Sequence, residues 1–331
     1  MGELKTITAI LVVALALTGV MGCRAVTEPP EKITLAVMPW PASTPIYVAY
    51  ENGYFRNEGL DVSLESYTTG HLALDAMLSG NADFATASDA SIARAAMEGD
   101  EFLIIATIAE VKRPIQIIAR KDRGITVPGD LRGKTIGLDT NSAAAYFLHA
   151  YMTTSYIGDT EYRTVDLPDG RIVDALLNGQ VDAVATWAPY THILKKGLGD
   201  NAISFSDRDL YTLTWNVTAT RESVRANPER VAKLLRAILR ADRFSRDHPE
   251  AAKAICSKHM GADAPLYEGE WPDYGFNTLL DESLILVLED EARWMVSDGI
   301  GGRKELPNFV SYVYTPGLRS VRPEAVTIAG E

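Results

Sequence analysis

Two short segments near the start of the chain alternate apolar and polar residues with the period of a half-buried β-strand. They span residues 33–37 and 60–64. Between them, Pro45 stands where the first turn of a helix accepts proline, and Gly53 stands where a helix commonly ends. A strand, a helix and a strand in this order form a βαβ unit, which gives parallel strands covered by helices. The pattern therefore predicts an α/β fold.

A second pattern occurs twice along the chain. Residues 75–88 read DAMLSGNADFATAS and residues 174–187 read DALLNGQVDAVATW, with five of fourteen positions identical when no gap is introduced. One extra residue after the last aspartate of the second copy would also align Ala185-Thr186 with Ala85-Thr86. Each copy predicts an amphipathic helix that ends at glycine and leads into a strand. Two helix-to-strand corners can be similar by chance, but we favour two similar α/β lobes.

The remaining apolar segments indicate where the chain passes between the lobes. A strong strand pattern covers residues 114–119, and another at 213–218 follows the second repeat copy. Asn227 then precedes a helix with apolar residues at 3.6 spacing, whereas no strong pattern is present beyond Leu318, which predicts a loosely held tail. We predict that lobe 2 is inserted into lobe 1 and that the two crossing strands form a hinge. The predicted bounds are residues 33–114 and 219–331 for lobe 1 and residues 115–218 for lobe 2.

The first residues of the chain are typical of an export signal. Lys5 precedes an almost unbroken apolar run of about fourteen residues, whereas a helix that spans a bilayer needs about 20. The run ends in Val20-Met21-Gly22-Cys23, which resembles the bacterial lipoprotein signal, in which the cysteine is lipidated. We predict a signal peptide at residues 1–22, a lipid anchor on Cys23 and an extended tether at residues 23–32. An ordinary cleaved signal peptide is the alternative.

Composition and charge narrow the class of protein. A chain of 331 residues with 47 % hydrophobic content can bury more than one core, because single cores stop growing at about 250–300 residues. The formal charge of -12 argues against a nucleic-acid-binding protein, since backbone phosphates require clustered Lys and Arg. If Cys23 is lipidated, Cys256 has no cysteine partner for an intrachain disulfide, and its alanine-rich surroundings predict a buried structural thiol.

Five phrases of the sequence, taken together and in chain order, are typical of one protein family. They are STPIYVAYENGYFRNEGLDVSL, LALDAMLSGNADFATAS, DLRGKTIGLD, ALLNGQVDAVATWAPY and ANPERVAKLLRAILRADRFSRDHPEAAKAI. From about residue 33 to residue 260, the chain thus resembles the nitrate/sulfonate/taurine-type solute-binding proteins of ABC importers, to which the thiamine-pyrimidine-precursor binders are closely related. The resemblance implies a type II periplasmic-binding fold, with two α/β lobes of mostly parallel sheet flanked by helices and joined by two hinge strands.

The resemblance also implies a function and its partners. The expected protein is a membrane-tethered receptor that faces the periplasm or the cell exterior and closes on a small organic sulfonate, taurine-like or nitrate-like ligand. It would deliver this ligand to an ABC permease and its ATPase. A binder of a thiamine pyrimidine precursor or another small heterocycle is the alternative, and a sensory ectodomain is a third hypothesis. No cofactor is expected.

Candidate ligand-binding residues follow from a general property of open parallel sheets, whose ligands bind beyond the carboxyl ends of the strands. The candidates are Trp40, Ser43, Thr44, Gly70, His71, Ser88, Asp89, Thr140, Asn141, Ser142, Trp187, Tyr190 and Trp215. Prolines on both sides of Trp40 stiffen its loop. The resemblance implies that this loop commonly carries a ligand-facing residue, so we expect the ring in the pocket wall instead of on the surface or in the core. Trp187 and Trp215 fit either the core or the pocket. Three indoles at one cleft would suit a flat or apolar ligand body.

The polar candidates each allow two interpretations. Residues 140–142 and the pair Gly70-His71 precede helices, whose first-turn N–H groups and dipole favour an anion, but a plain N-cap explains them as well. Asp89 either caps the helix that follows or faces the pocket. In the pocket, its carboxylate would repel an anion and pair with an ammonium group.

The sequence lacks the motifs that would indicate an enzyme. Its five histidines form no HExxH or other metal-ligand spacing, and no GxSxG, P-loop or phosphate-binding GxGxxG follows a predicted strand. The eukaryotic pyrimidine synthases resemble this family, but their cysteine cluster has no counterpart in this sequence. We therefore predict a protein without catalytic residues and without a metal site.

Overall fold

The computed structural model describes residues 29–167, 171–261 and 269–328 of the chain. The predicted signal peptide, the lipidation site Cys23 and the tether before Pro29 lie outside the described residues. From Glu31 onward the chain forms one compact unit. Within the described ranges, no helix is both long and apolar enough to cross a membrane.

Strands and helices alternate along much of the chain. The strands are β1 (Glu31–Val37), β2 (Leu60–Ser66), β3 (Phe84–Ser88), β4 (Phe102–Lys112), β5 (Gln116–Arg120), β6 (Thr135–Leu138), β7 (Arg163–Asp166), β8 (Ala183–Thr186), β9 (Ala202–Phe205), β10 (Thr212–Thr220) and β11 (Tyr274–Gly275). The helices are α1 (Thr44–Glu51), α2 (Tyr54–Asn57), α3 (Gly70–Leu78), α4 (Asp89–Glu98), α5 (Ala143–Thr154), α6 (Arg171–Leu177), α7 (Tyr190–Leu198), α8 (Arg221–Ala226), α9 (Pro228–Asp247), α10 (Pro249–Met260), α11 (Glu282–Ser297) and α12 (Thr315–Val321).

The strands form two sheets. One has the order β11-β4-β10-β3-β1-β2, and the other has the order β7-β6-β8-β5-β9. β1 pairs in parallel with β2 and β3, and β6 pairs in parallel with β7 and β8. The other strands add antiparallel pairs, so each sheet is mixed. The predicted two-lobed α/β fold is confirmed, with lobe 1 built on the six-stranded sheet and lobe 2 on the five-stranded sheet. The expectation of mostly parallel sheets is wrong, because five of the nine pairings among the described strands are antiparallel.

The first crossover contains two helices where the sequence pattern predicted one. Thr44 and Pro45 occupy the first turn of α1. Gly53 then takes a φ of 68° and turns the chain from α1 into α2. This left-handed conformation costs other residues about 1–2 kcal/mol but is readily adopted by glycine. β1 and β2 pair in parallel on either side of the two helices, which is the βαβ arrangement expected from the sequence.

The two copies of the sequence repeat have the same local structure. In lobe 1, the Thr34 N–H donates to Asp83 Oδ2 at 2.8 Å, and the Asp83 N–H donates to the Thr34 carbonyl at 2.8 Å. In lobe 2, the two corresponding distances between Thr135 and Asp182 are both 2.9 Å. Each repeated aspartate thus fixes one strand to the start of its parallel neighbour, β3 to β1 and β8 to β6.

The strand register shows that the one-residue insertion considered for the second copy was wrong. Phe84 and Ala183 each follow the repeated aspartate directly, and both pair with the residue after the threonine of the neighbouring strand. The two copies are therefore equivalent without a gap. Counted from the aspartates, Ser88 is the counterpart of Trp187.

The described chain crosses between the sheets at residues 113–115 and at residues 206–211. All of β10 pairs with β3 or β4 of lobe 1, whereas the sequence prediction placed residues up to 218 in lobe 2. An apolar strand pattern shows that a segment is buried but does not show which sheet it joins. We therefore propose that lobe 2 ends within residues 206–211 and that β10 belongs wholly to lobe 1.

The C-terminal residues are held more firmly than the sequence pattern predicted. The Leu280 N–H donates to the Ala325 carbonyl at 2.9 Å, and the Thr327 N–H donates to the Leu280 carbonyl at 3.0 Å. Leu318 is fully buried, and Ile328 is 3 % exposed. α12 packs against α9. The expectation of a loosely held tail is therefore wrong for the residues through Ile328.

Cys256 lies on α10 with 2 % of its surface exposed. Burial raises the pKa of its thiol to about 12. The thiol is therefore protonated at neutral pH, and the prediction of a buried structural cysteine is confirmed.

Candidate functional site

A cavity of about 360 Å³ lies between the two lobes, beyond the carboxyl ends of β1 and β3. Residues of both lobes line it, including the starts of α3, α4 and α5. Seven of the thirteen sequence-based candidates are among the lining residues: Trp40, Gly70, His71, Ser88, Ser142, Trp187 and Trp215. The others that line it are Met38, Thr69, Ser91, Ile115, Ala143 and Leu213.

Three tryptophan rings form much of the apolar wall. Trp40 and Trp215 meet edge to face with their ring centroids 5.2 Å apart, and Trp187 approaches from lobe 2. Trp215 Nε1 donates to Ser43 Oγ at 3.0 Å, and the Ser43 hydroxyl donates to the Met38 carbonyl at 3.0 Å. Ser43 is fully buried and does not line the cavity. Its hydroxyl therefore orients the Trp215 ring from behind.

The indole N–H of Trp40 has no hydrogen-bond partner among the described residues, although the atom is buried. The side chain is 3 % exposed and is held by its contact with Trp215 and by Tyr274, whose ring centroid is 5.7 Å away. A buried donor without a partner costs about 1–3 kcal/mol. An acceptor atom of a ligand in the cavity would recover this free energy.

Three helices begin at the cavity, namely α3, α4 and α5. Their N-cap hydroxyls, from Thr69, Ser88 and Ser142, each accept one first-turn backbone N–H at 3.2–3.4 Å. The partial positive charge of three helix N-termini therefore converges on one small volume. Neither Lys nor Arg is among the described residues that line it, so the helices supply most of the positive field.

The start of α3 packs so closely on Trp215 that it requires glycine. A Cβ at Gly70 would lie 3.0 Å from Cη2 of the Trp215 ring. The ring is 2 % exposed and is tied to Ser43 through its N–H, so it has little room to retreat. We expect any larger residue at position 70 to push the ring into the cavity.

His71 lies where the two lobes meet at the cavity. Its Nδ1 is 4.0 Å from Asp139 Oδ2, and its Nε2 is 3.4 Å from Thr69 Oγ1. Asp139 belongs to lobe 2 and His71 to lobe 1. A protonated His71 would therefore attract the two lobes to each other.

Asp89 lies behind the cavity instead of facing it. The carboxylate is fully buried; its Oδ1 accepts from the Tyr211 hydroxyl at 2.6 Å, and its Oδ2 accepts from the Thr214 N–H at 2.7 Å. Burial raises the pKa of Asp89 to about 6, and the two donors oppose that rise. The carboxylate thus completes the start of α4 and the end of the crossing segment, and we no longer expect it to contact a ligand.

Glu291 of α11 shares Tyr211 with Asp89. The Tyr211 hydroxyl lies 3.1 Å from Glu291 Oε1 as well as 2.6 Å from Asp89 Oδ1, and a phenol has one hydrogen to donate. Burial, followed by the neighbouring Asp89 carboxylate, raises the pKa of Glu291 well above its ordinary value. We therefore assign the proton to Glu291 and the negative charge to Asp89, which accepts more hydrogen bonds.

Four further candidates lie outside the cavity lining. Thr44 is fully buried, and its hydroxyl donates to the Pro41 carbonyl at 2.6 Å. Thr140 and Asn141 line a second cavity of about 910 Å³. Tyr190 lines a third cavity of about 310 Å³. The rule about strand ends selects a loop, but it does not tell which side chain of the loop points into which cavity.

Six of the lining residues were missed in the sequence. A signal was available for Ser91, which stands three residues after Ser88 and therefore in the same first helical turn; the two hydroxyl oxygens are 3.0 Å apart. Ile115 and Leu213 flank the crossings between lobes, and nothing in an apolar pattern separates such residues from ordinary core positions.

Comparison with known proteins finds one matching family model and several relatives that are named as binding proteins. A family model described as NMT1/THI5 like matches residues 40–252. A protein of Brucella abortus that bears a provisional name as a binding protein is 23% identical over 286 residues, which are 85% of this chain and 86% of that protein. The riboflavin-binding protein RibY of Chloroflexus aurantiacus is 25% identical over 229 residues, which are 67% of this chain and 64% of RibY.

Solved structures share the two-lobed fold. The alkanesulfonate-binding protein SsuA of Xanthomonas axonopodis pv. citri, solved with MOPS bound, matches with a TM-score of 0.74 at 17% identity, covering 86% of this chain and 99% of SsuA. The desulfurization enzyme DSZB matches with a TM-score of 0.62 at 16% identity, covering 89% of this chain and 99% of the enzyme. At these identities the likeness shows the fold alone.

Proposed function

The chain belongs to the NMT1/THI5-like family, and on this premise we propose that it is a solute receptor that closes on a small organic anion with an apolar body, such as an organic sulfonate. The cavity between the lobes is the proposed binding site. A ligand that contacts both lobes would stabilise the closed arrangement and shift the population towards it.

The observation that carries the proposal is the unpartnered Trp40 N–H in a cavity on which three helix N-termini converge. A sulfonate, a taurine-like sulfonate or a nitrate offers several acceptor oxygens to such donors. The tryptophan rings would cover the apolar part of the ligand. Asp89, which would repel an anion if it faced the cavity, is instead bound to Tyr211 and Thr214.

A small heterocycle, such as a thiamine pyrimidine precursor, is the second candidate ligand. The three tryptophan rings favour it, because a flat ring packs well on indoles. The relative RibY is named for a heterocycle, riboflavin.

The experiment that separates these candidates is a thermal-shift panel of nitrate, taurine, alkanesulfonates and aminopyrimidines, preceded by native mass spectrometry of gently purified protein. A ligand present at about 100 times its dissociation constant adds about 2.7 kcal/mol to the free energy of unfolding. We expect the alkanesulfonates to raise the melting temperature most and to be recovered chemically unchanged. A shift with aminopyrimidines alone would favour the second candidate, and no shift with any compound would contradict the proposal.

Trp40→Phe tests the donor that carries the proposal. This change removes the N–H but keeps a ring against Trp215 and Tyr274, whereas Trp40→Ala would also cost about 3–5 kcal/mol of stability through lost packing. Because a hydrogen bond to a charged group contributes about 1.5–3 kcal/mol, we expect the dissociation constant for the best sulfonate to rise about tenfold or more. Titration calorimetry measures it, with Trp271→Phe, outside the cavity lining, as control. Equal affinity of the Trp40→Phe and wild-type proteins would remove this N–H from the site.

We propose further that the protein is exported, is anchored to the membrane through a lipid on Cys23, and delivers its ligand to the permease and ATPase of an ABC importer. The apolar run before Cys23 and the family support this part of the proposal. Cys23→Ser should move the protein from the membrane fraction to the soluble fraction of the exporting cell. Continued membrane association of that variant would contradict the lipid anchor.

A further inference from the structure

Three side chains with metal-ligand chemistry meet outside the cavity described above. They are His149 on α5, Asp159 in the loop before β7 and Asp298 directly after α11. One donor atom from each lies within 4.8 Å of the other two. All three line the second cavity, of about 910 Å³, so solvent has access to the cluster.

The three residues are contributed by both lobes. His149 and Asp159 lie in the part of the chain that forms the five-stranded sheet and its helices. Asp298 follows α11, which packs on α4 beside the six-stranded sheet. A ligand held by all three would therefore connect lobe 1 to lobe 2.

The cluster has the donors and the spacing that a divalent transition metal requires. A neutral imidazole nitrogen and two carboxylate oxygens suit Zn²⁺, which binds nitrogen at about 2.0–2.1 Å and oxygen at about 2.0–2.2 Å. Donors around one such ion are therefore separated by roughly 3–4 Å. His149 Nδ1 and Asp159 Oδ1 are already 3.4 Å apart, and an oxygen of the exposed Asp298 side chain lies within 4.8 Å of both residues' donor atoms.

The histidine nitrogen is available for coordination. His149 Nδ1 is buried and has no hydrogen-bond partner among the described residues, in spite of its closeness to Asp159. A buried polar atom without a partner costs free energy, which coordination of an ion would recover. An ion pair between protonated His149 and Asp159 would use only one of the two carboxylates.

Neighbouring groups orient both carboxylates. Trp294 Nε1 donates to Asp298 Oδ2 at 3.0 Å, and the Tyr162 hydroxyl donates to Asp159 Oδ1 at 3.1 Å. Hydrogen bonds of this kind, from groups that do not touch the ion, fix the direction of metal ligands.

Arg94 also lines the second cavity, and its guanidinium is engaged elsewhere. Its guanidinium donates to the Thr140 carbonyl at 2.8 Å and lies 3.9 Å from Glu98. It therefore does not supply the positive charge that His149, Asp159 and Asp298 together lack.

We propose that His149, Asp159 and Asp298 form a binding site for a divalent transition-metal cation, best matched by Zn²⁺, and that the bound ion holds the two lobes together. Water completes the coordination from the open side of the cavity. The site is separate from the proposed ligand cavity and does not depend on the identity of its ligand.

Titration of Zn²⁺ into untagged, chelator-treated full-length protein tests the site. We expect one ion per chain by calorimetry and a melting temperature that rises with Zn²⁺ but not with the same concentration of Mg²⁺. His149→Gln and Asp298→Asn should each raise the dissociation constant for Zn²⁺ at least tenfold. Asp290→Asn, which removes another exposed carboxylate of α11, should leave it unchanged.

A second measurement tests the connection between the lobes. Small-angle X-ray scattering should show that Zn²⁺ reduces the radius of gyration of the wild-type protein but not of Asp298→Asn, which keeps the two ligands of lobe 2. Absence of Zn²⁺ binding to the wild-type protein, or equal binding by His149→Gln, would overturn the site. If Asp298→Asn bound Zn²⁺ and became compact to the same extent as the wild-type protein, the proposed connection between the lobes would be overturned. Asp159→Asn, at a side chain that is 54% exposed, gives an independent variant if His149→Gln does not fold.

Discussion

The two copies of the sequence repeat share a framework and differ at their ends. Asp83 and Asp182 make the same pair of hydrogen bonds to a neighbouring strand, one in each lobe. Five residues after each aspartate the copies differ, since Ser88 caps a helix in lobe 1 and Trp187 occupies the equivalent position in lobe 2. Both of these residues line the cavity between the lobes. The comparison indicates that the repeat preserves the parts that fold each lobe and varies the parts that line the proposed ligand cavity.

Trp187→Ala is expected to have the largest effect among the changes that test this comparison. Trp187 is 8 % exposed, and truncation of a buried tryptophan costs about 3–5 kcal/mol. The matched change in lobe 1, Ser88→Ala, removes a helix cap and should cost only about 1 kcal/mol. Denaturant unfolding of the two variants and the wild-type protein measures both values.

The two changes should also differ in their effect on ligand affinity. Loss of the Trp187 ring removes apolar wall, whereas loss of the Ser88 hydroxyl removes a polar atom near the helix N-termini. We expect Trp187→Ala to weaken every ligand of the panel, and Ser88→Ala to weaken anions more than heterocycles. The two variants could instead lose the same free energy of unfolding and the same affinity for every ligand. That result would contradict the different roles that we assign to Trp187 and Ser88.

The fold could be predicted from the sequence largely because its determinants are local. Gly53, Gly80 and Gly179 mark helix ends by their own backbone preference, and the alternating strands are visible without knowledge of their partners. The pairing of β10 was not visible in this way. It depends on which sheet the chain meets after residues 206–211, and a strand pattern contains no information about its neighbours.

The candidate site could be predicted less completely, since each side chain's direction depends on partners far away in the sequence. Ser43 was selected as a ligand contact, but it binds Trp215, which lies 172 positions later. Asp89 was also selected as a ligand contact, but it binds Tyr211 and Thr214, which lie more than 120 positions later. A sequence rule places such residues at the correct end of the sheet but leaves their direction open.

Asp89 provides the second test of the comparison between the two repeat copies, because its counterpart in lobe 2 is Ala188 and has no ionisable side chain. Its folded-state pKa of about 6 lies above the ordinary value of 3.8. Between about pH 4 and pH 6 the folded protein therefore keeps a proton that the unfolded chain has lost, so the free energy of unfolding falls as pH rises through this window and levels off above it. A shift of this size corresponds to a few kcal/mol. Ala188 contributes no such dependence to lobe 2.

Denaturant unfolding at pH 4, 5, 6 and 7 measures this dependence. The difference between wild-type and Asp89→Asn proteins reports it, together with the change that loss of the Asp89 charge makes to the pKa of Glu291. We expect the wild-type curve to fall relative to the variant curve as pH rises to about 6. Glu291→Gln should separately lessen the fall of the wild-type curve, because the raised pKa of Glu291 keeps a proton on the folded protein that the unfolded chain loses. Parallel curves for wild-type and Asp89→Asn proteins would contradict the raised pKa of Asp89.

The smallest expected effects test the shared framework itself. Asp83→Ala and Asp182→Ala each remove the acceptor of a strand N–H, and a hydrogen bond to a charged group contributes about 1.5–3 kcal/mol. An arginine lies near each carboxylate, Arg230 at 3.4 Å from Asp83 and Arg123 at 3.9 Å from Asp182, so the surroundings also match. We therefore expect the two variants to lose similar amounts of unfolding free energy in denaturant titrations.

The repeat supplies its own controls for these two variants. Asp75 and Asp174 are also identical between the copies, but both are exposed on the helices that precede the strands. Asp75→Ala and Asp174→Ala should change the free energy of unfolding by less than about 0.5 kcal/mol, as is usual at such surface positions. If Asp83→Ala and Asp182→Ala were as mild as these controls, sequence identity at the repeated aspartates would not reflect strand fixation. If only one were costly, the two lobes would share a sequence pattern without sharing the interaction that we assign to it.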